Sequence, residues 1–93
     1  MSAEGLHEPR ELLTPATLAA HLAIRSLMEE LEAVDWYRQR ADACADAALK
    51  VVLTHNMNDE WEHAAMLVEW LRCNNAEFAT QLEKFLGTTT AGG

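Results

Sequence analysis

Four glycines and two prolines in 93 residues give the chain few places to turn, which argues against an all-β or disordered design and for long helices. Basic residues are scarce as well: seven Lys and Arg stand against 15 Asp and Glu, a formal charge of -8. Nucleic acid, whose phosphates demand clustered Lys and Arg, is disfavoured as a partner, while cationic ligands such as metal ions are favoured. There is no run of about 18 apolar residues to span a bilayer, so no membrane partner is expected. The start Met1-Ser2-Ala3-Glu4-Gly5 lacks the basic-then-apolar pattern of a signal peptide, and a cytoplasmic location is expected. Only two cysteines occur, Cys44 and Cys73. An antiparallel hairpin of two long helices sets them at opposite ends of a helix, roughly 40 Å apart, so they are expected to be reduced packing side chains rather than a disulfide.

What is present is helical periodicity. Residues 1–13 carry Gly5 and Pro9 and little pattern, and read as an N-terminal arm with a short helical turn. Residues 14–87 read as one helical domain. Thr14-Pro15 supplies an N-cap followed by proline at the first helical position, and Leu18, Leu22, Met28 and Leu31 then recur at mostly three- or four-residue steps, predicting a helix to about Arg40. The segment from Ala41 to Asp46 is the one internal break, with Asp46 placed to cap the next helix. From Ala47 to about Arg72 a second stripe appears at Leu53, Met57, Glu60, Ala64, Leu67 and Leu71, in steps of four, three, four, three and four. Asn74-Asn75 interrupts it and caps a short third helix from Ala76 to Leu86, whose Phe78, Ala79, Leu82, Phe85 and Leu86 form one apolar face and which stops at Gly87. Residues 88–93 have nothing to bury and read as a flexible tail. The fold class expected is all-α: an antiparallel two-helix hairpin plus a short C-terminal helix, too small to bury much surface alone.

Two long helices of about 26 residues span roughly 39 Å each and lie antiparallel across the short turn. Residues equidistant from that turn are then neighbours, which sets Glu30 beside Glu60. Glu60 interrupts the apolar stripe of the second helix, and His63 follows one turn later. Glu30 is bracketed on its own face by Leu27 and Val34, with Ala23, Ala33 and Tyr37 nearby. Two carboxylates at one level of an apolar seam cost several kcal/mol unless protonated, paired or bound to a cation, and no Lys or Arg stands at that level. Metal coordination is the economical solution. Glu60-Trp61-Glu62-His63 also has the Glu-x-x-His spacing of di-iron and di-manganese carboxylate bundles, whose complete site takes two such motifs and two further glutamates. One chain offers half of that set, so a two-fold homodimer pairing two hairpins into a four-helix bundle completes it. Taken alone, the same spacing also describes a solvated ion pair; Asp59 with His63 is a competing ligand pair, and His21 and His55 are further candidates.

The segment Met28-Glu29-Glu30-Leu31-Glu32-Ala33-Val34-Asp35-Trp36-Tyr37, with Asp59-Glu60-Trp61-Glu62-His63-Ala64-Ala65-Met66 and Glu69-Trp70-Leu71-Arg72, resembles the encapsulated ferritin family. Together with His7-Glu8-Pro9 and His55-Asn56, the resemblance covers most of the chain from His7 to Leu86. It implies a ferritin-like bundle formed at a dimer interface, a ring of dimers (a decamer), and work as a ferroxidase inside an encapsulin nanocompartment, oxidising Fe2+ to Fe3+ for storage in the shell. It implies that Glu30, Glu60 and His63 are the catalytic metal ligands for a di-iron centre in which other divalent metals substitute. Glu29 and Glu32 correspond to outer acidic positions that attract incoming iron, and Trp36 and Tyr37 to aromatics near the centre. Two departures stand out: nothing after Gly87 resembles the family's shell-docking peptide, and Trp61 occupies a motif position where a polar residue is expected. The alternative function is a non-enzymatic helical dimerisation module whose buried glutamates hold a structural metal ion.

Overall fold

The structure, a computed structural model, describes residues 5–87. The expected tail, 88–93, and the first four residues of the arm lie outside the described residues. The order is a 3-10 turn at Arg10–Leu12, then α1 (Pro15–Ala43), α2 (Ala47–Asn74) and α3 (Ala76–Leu86). Each helix starts at the cap its sequence provides. Thr17 N–H donates to Thr14 Oγ1 at 3.1 Å, Leu49 N–H to Asp46 Oδ1 at 2.9 Å and Phe78 N–H to Asn75 Oδ1 at 2.8 Å, so three otherwise orphaned helix N–H groups are satisfied by side chains. Gly87 ends α3 at φ 69°, in the left-handed region where a Cβ is strained. The helix expected to stop near Arg40 continues to Ala43, because Ala41 is still buried against α2 and gains from staying helical.

The molecule is a flat pair of helices. Its smallest extent, 14 Å, is little more than one helix with its side chains. α1 meets α2 along the row Ala23, Leu27, Glu30, Val34, Tyr37 and Ala41, and α2 meets α1 along Leu53, Met57, Glu60, Ala64, Leu67 and Leu71. Both rows step four, three, four, three and four, as a knobs-into-holes seam requires, and all their members are buried or half-buried. The α2 stripe is therefore the one expected from sequence. On α1 the expected stripe and the seam part: Leu22, Met28 and Leu31 are 64%, 53% and 45% exposed and face away from α2, whereas the face read around Glu30, with Ala23, Leu27, Val34 and Tyr37, is the one that packs. The seam contains two alanines, a glutamate and a tyrosine, so the larger apolar residues beside it carried the stronger hydrophobic signal.

Among the described residues only Ala23, Val34, Ala41, Ala64 and Leu71 are buried hydrophobics, and no large side chain is fully enclosed. Fourteen large hydrophobics remain exposed, too many for scattered surface residues. On the hairpin they lie on both broad faces, with Leu22, Trp36, Val52, Met66 and Trp70 on one and Ile24, Met28, Leu31 and Trp61 on the other. In an antiparallel pair, the rows one residue before each seam share a face: Leu22, Ser26, Glu29, Ala33, Trp36 and Arg40 from α1, with Val52, Asn56, Asp59, His63, Met66 and Trp70 from α2. The opposite face holds Arg38, Asp42 and Thr54, which line one groove near the turn. α3 adjoins that second face, where Val68 and Arg72 line a groove with Ala79 and Leu82. The first face is left open.

Cys44 is half-buried, its thiol 3.4 Å from the Asp46 carbonyl, and both cysteines are free. Cys73 is exposed, with its thiol 3.3 Å from Glu69, so it is not the packing side chain expected. No described helix is long and apolar enough to cross a membrane.

Candidate metal centre

The centre of the seam is polar where its neighbours are apolar. Glu30 stands between Leu27 and Val34 on α1, and Glu60 between Met57 and Ala64 on α2, so seam packing delivers both carboxylates to the same gap. His63 follows Glu60 by one turn and leans over that gap from the open face. Its Nδ1 lies 3.3 Å from Glu60 Oε1 and 3.5 Å from Glu30 Oε1. One donor atom from each of the three residues falls within 4.8 Å of the other two, which is the spacing of atoms around a common cation. The glutamates are sheltered, with side chains 27% and 23% exposed, whereas His63 is 50% exposed. The cluster is thus closed by the hairpin on one side and open on the face that the helices leave uncovered.

Without a cation the three groups compensate one another imperfectly. Glu30 is raised above the ordinary carboxylate value, chiefly because it shares a hydrogen bond with Glu60 as the protonated partner, with partial burial and the Glu60 charge adding to the shift and His63 opposing it. Glu60 is lowered, first by accepting that hydrogen bond and then by His63, while burial works the other way. The two carboxyls titrate as a pair, with Glu30 the raised member and Glu60 the lowered one. His63 is raised, first by its hydrogen bond to Glu60 and further by both carboxylate charges. A divalent ion replaces this arrangement with a better one, since it neutralises both carboxylates and accepts the imidazole lone pair once the protons have left. Oxygen, oxygen and imidazole nitrogen are a donor set suited to iron, manganese or zinc.

Of the remaining sequence candidates, Glu29 lies on the open face beside the cluster; Glu32 points to the outer side of α1, and both are exposed. Tyr37 is half-buried in the seam two turns from Glu30, and Trp36, 49% exposed, sits on the open face. Arg40 covers both rings at 5.4 Å from Tyr37 and 5.9 Å from Trp36, a contact that sequence reasoning missed although the i, i+3 and i, i+4 spacings carried it. Trp61, 48% exposed, occupies the opposite face from His63. Asp59 pairs with His55 at 3.5 Å rather than joining the cluster. His21 is nine residues before Glu30 on α1, two and a half turns, and points away from the site.

A family model for EncFtn-like proteins matches residues 5–89. The chain belongs to this family. It is 53% identical over 87 residues to a Rhodospirillum rubrum protein named encapsulated ferritin-like protein, covering 94% of this chain and 62% of that protein's length. It is 43% identical over 86 residues to a ferritin-like protein of Thermotoga maritima, covering 92% of this chain and 75% of that one. Among solved structures, protein ne0167 from Nitrosomonas europaea superposes with a TM-score of 0.85 at 48% identity, covering 94% of this chain and 96% of that one. The EncFtn-like chain therefore has the all-helical, ferritin-like fold expected from its sequence, and it spans under two thirds of the R. rubrum relative.

Proposed function

We propose that this EncFtn-like protein is a ferroxidase that oxidises Fe2+ to Fe3+ at a di-iron centre built by two copies of the chain. One observation supports this above the others: two carboxylates and an imidazole converge mid-seam with no Lys or Arg paired to them among the described residues, and they open onto a face where a single chain leaves Leu22, Trp36, Val52, Met66 and Trp70 bare. One chain offers three donors, fewer than an ion of this class takes. A second copy related by a two-fold axis brings the total to four carboxylates and two imidazoles, the full complement of a di-iron carboxylate bundle. The same pairing buries Leu22, Trp36, Val52, Met66 and Trp70, which gives the assembly its hydrophobic driving force.

Glu30, Glu60 and His63 hold the ions, and bound iron supplies the one-electron chemistry that no side chain of this cluster provides. The protein's part is electrostatic. Anionic oxygens in a sheltered site stabilise Fe3+ more than Fe2+, which lowers the potential and favours electron loss to an oxidant of the dioxygen or peroxide class. Glu60 is the more acidic of the two carboxyls and Glu30 the less, so an arriving ion competes with protons chiefly at Glu30. Glu29, exposed beside the cluster, raises the local concentration of ferrous substrate, with Glu32 contributing from the outer side. Trp36 and Tyr37 form the wall toward the hairpin turn.

An open assembly of such thin chains encloses no storage volume. The R. rubrum relative's name, an encapsulated ferritin-like protein, supports work inside an encapsulin shell that stores the ferric product; a ring of dimers, a decamer, in the cytoplasm completes the proposal. Anaerobic loading with Fe2+ followed by admission of oxygen tests the activity. The expected result is ferric absorbance over repeated additions, lost in Glu30→Ala, Glu60→Ala and His63→Ala taken singly. A dimer that binds iron without oxidising it supports a structural-metal dimerisation module instead.

A further inference from the structure

We propose that the broad face opposite the metal cluster is a second contact with another copy of this chain, anchored by Trp61 and formed without metal. The proposal rests on the reading above, in which the cluster face pairs two copies about a two-fold axis. Such a contact uses the same patch on both chains and closes at two, so a larger ring needs a second patch on each chain. α3 adjoins the opposite face only at its Val68 and Arg72 end, and the molecule stays 14 Å thin, so the rest of that face is open to a neighbour.

Ile24, Met28, Leu31 and Trp61 lie there, each about half exposed. They form one patch. The register that sets Glu30 beside Glu60 puts Trp61 at a level between Met28 and Leu31, with Ala65 one turn further on toward Ile24. Trp61 is the unusual member, a tryptophan inside the otherwise polar run Glu60-Trp61-Glu62-His63. The seam between α1 and α2 is filled without it, so within one chain its ring stands largely in water. Covered by a neighbour, it becomes a large aromatic anchor of the kind that dominates contacts between proteins.

Charge separates the two faces. The cluster face carries Glu29, Asp59 and His63 in its middle, with Glu30 and Glu60 behind them, so two copies bring like charges together until a cation enters. On the opposite face the acidic residues at the level of Trp61, Glu32 and Glu62, stand on the outer edges of the helices. They make a polar rim around an apolar centre, which is the anatomy of a protein contact. Two helices side by side present about 40 Å by 20 Å, roughly 800 Å², which is what each partner of a stable complex buries. Nothing in this contact calls for an ion. It joins chains in the metal-free protein, and metal adds the other contact.

Sedimentation of the full chain in chelator, over a micromolar concentration series, tests the proposal. The expected result is a metal-free dimer whose Kd rises about tenfold or more in Trp61→Gln, while Met66→Gln on the cluster face leaves it unchanged. Met28→Gln, with circular dichroism as the check on helix content, decides the matter if Trp61→Gln does not fold. Redox-inert Zn2+ should then carry the parent beyond a dimer, whereas Trp61→Gln stops at the two-fold pair. A parent that is monomeric in chelator overturns the proposal, as does a metal-free dimer weakened by Met66→Gln instead of Trp61→Gln. Failure of the metal-centred pairing reads differently: Zn2+ changes neither protein, and a metal-free dimer sensitive to Trp61→Gln still supports this contact.

Discussion

Replacing Glu30 by glutamine should stabilise the metal-free protein and remove its response to metal, two effects of opposite sign from one substitution. Glu30 and Glu60 place oxygens within 4.8 Å of each other. Two unit charges at that separation repel by about 3.5 kcal/mol at an effective dielectric near 20 and by about 0.9 kcal/mol in bulk water. Their side chains are 27% and 23% exposed and His63 lies within 3.5 Å of both, so solvent and imidazole screen the pair and the lower end applies, about 1 kcal/mol. The pH dependence follows from the direction of the shift. As pH rises past 4.5, Glu30 of the unfolded chain loses its proton while folded Glu30, raised above 4.5, keeps it. The folded state then binds more protons, and stability falls with rising pH through this window. Glutamine cannot lose a proton, so Glu30→Gln gains over the parent as pH rises, and about 1 kcal/mol at pH 8 corresponds to roughly 4–8 °C in Tm for a domain of this size. With Zn2+ or Mn2+ at about 100 times Kd the parent gains about 2.7 kcal/mol, most of which the variant loses with one of its three donors. Thermal unfolding followed by circular dichroism, with chelator and with metal, measures both effects. A variant less stable than the parent in chelator, yet equally stabilised by metal, would refute the reasoning.

Metal binding should release protons, because Glu30 and His63 both titrate above their ordinary values in the metal-free fold; Zn2+ affinity should therefore fall as pH drops toward 6, which calorimetry in buffers of different ionisation enthalpy reads directly. Asp46→Ala removes the cap that accepts from Leu49 at 2.9 Å and should cost about 1 kcal/mol in urea unfolding without altering the number of metal ions bound. Leu71→Ala opens a cavity in a core with few other buried residues and should cost about 2 kcal/mol or more by the same measurement. Glu69, held down at about 2 by its contact with Arg72, contributes stability that is present above pH 4.5 and lost as pH falls toward 2; Glu69→Gln should flatten the acid limb of a pH–stability profile and leave metal binding unchanged.

How legible the fold was depended on how locally each feature is encoded. Thr14, Asp46 and Asn75 act on N–H groups three residues away, so the starts of all three helices could be read from neighbours in sequence. The α2 seam was legible because five apolar residues repeat around a single glutamate. On α1 the apolar stripe misled, because Ala23 and Ala41 give little hydrophobic signal while the exposed Leu22, Met28 and Leu31 give a strong one; the seam was legible only from the face of Glu30, through Leu27, Val34 and Tyr37. Convergence of Glu30, Glu60 and His63 could be anticipated from equal distances to one turn, which needs only the antiparallel rule.

Diffraction from crystals soaked anaerobically in Mn2+ or Fe2+, with anomalous differences measured at the metal edge, tests the central claim most directly. Two ions should appear on or beside a two-fold axis between hairpins, each ligated by His63 and by carboxylate oxygens of Glu30 and Glu60 drawn from both chains. A monomeric hairpin with the three side chains in solvent and no anomalous density between them would contradict it.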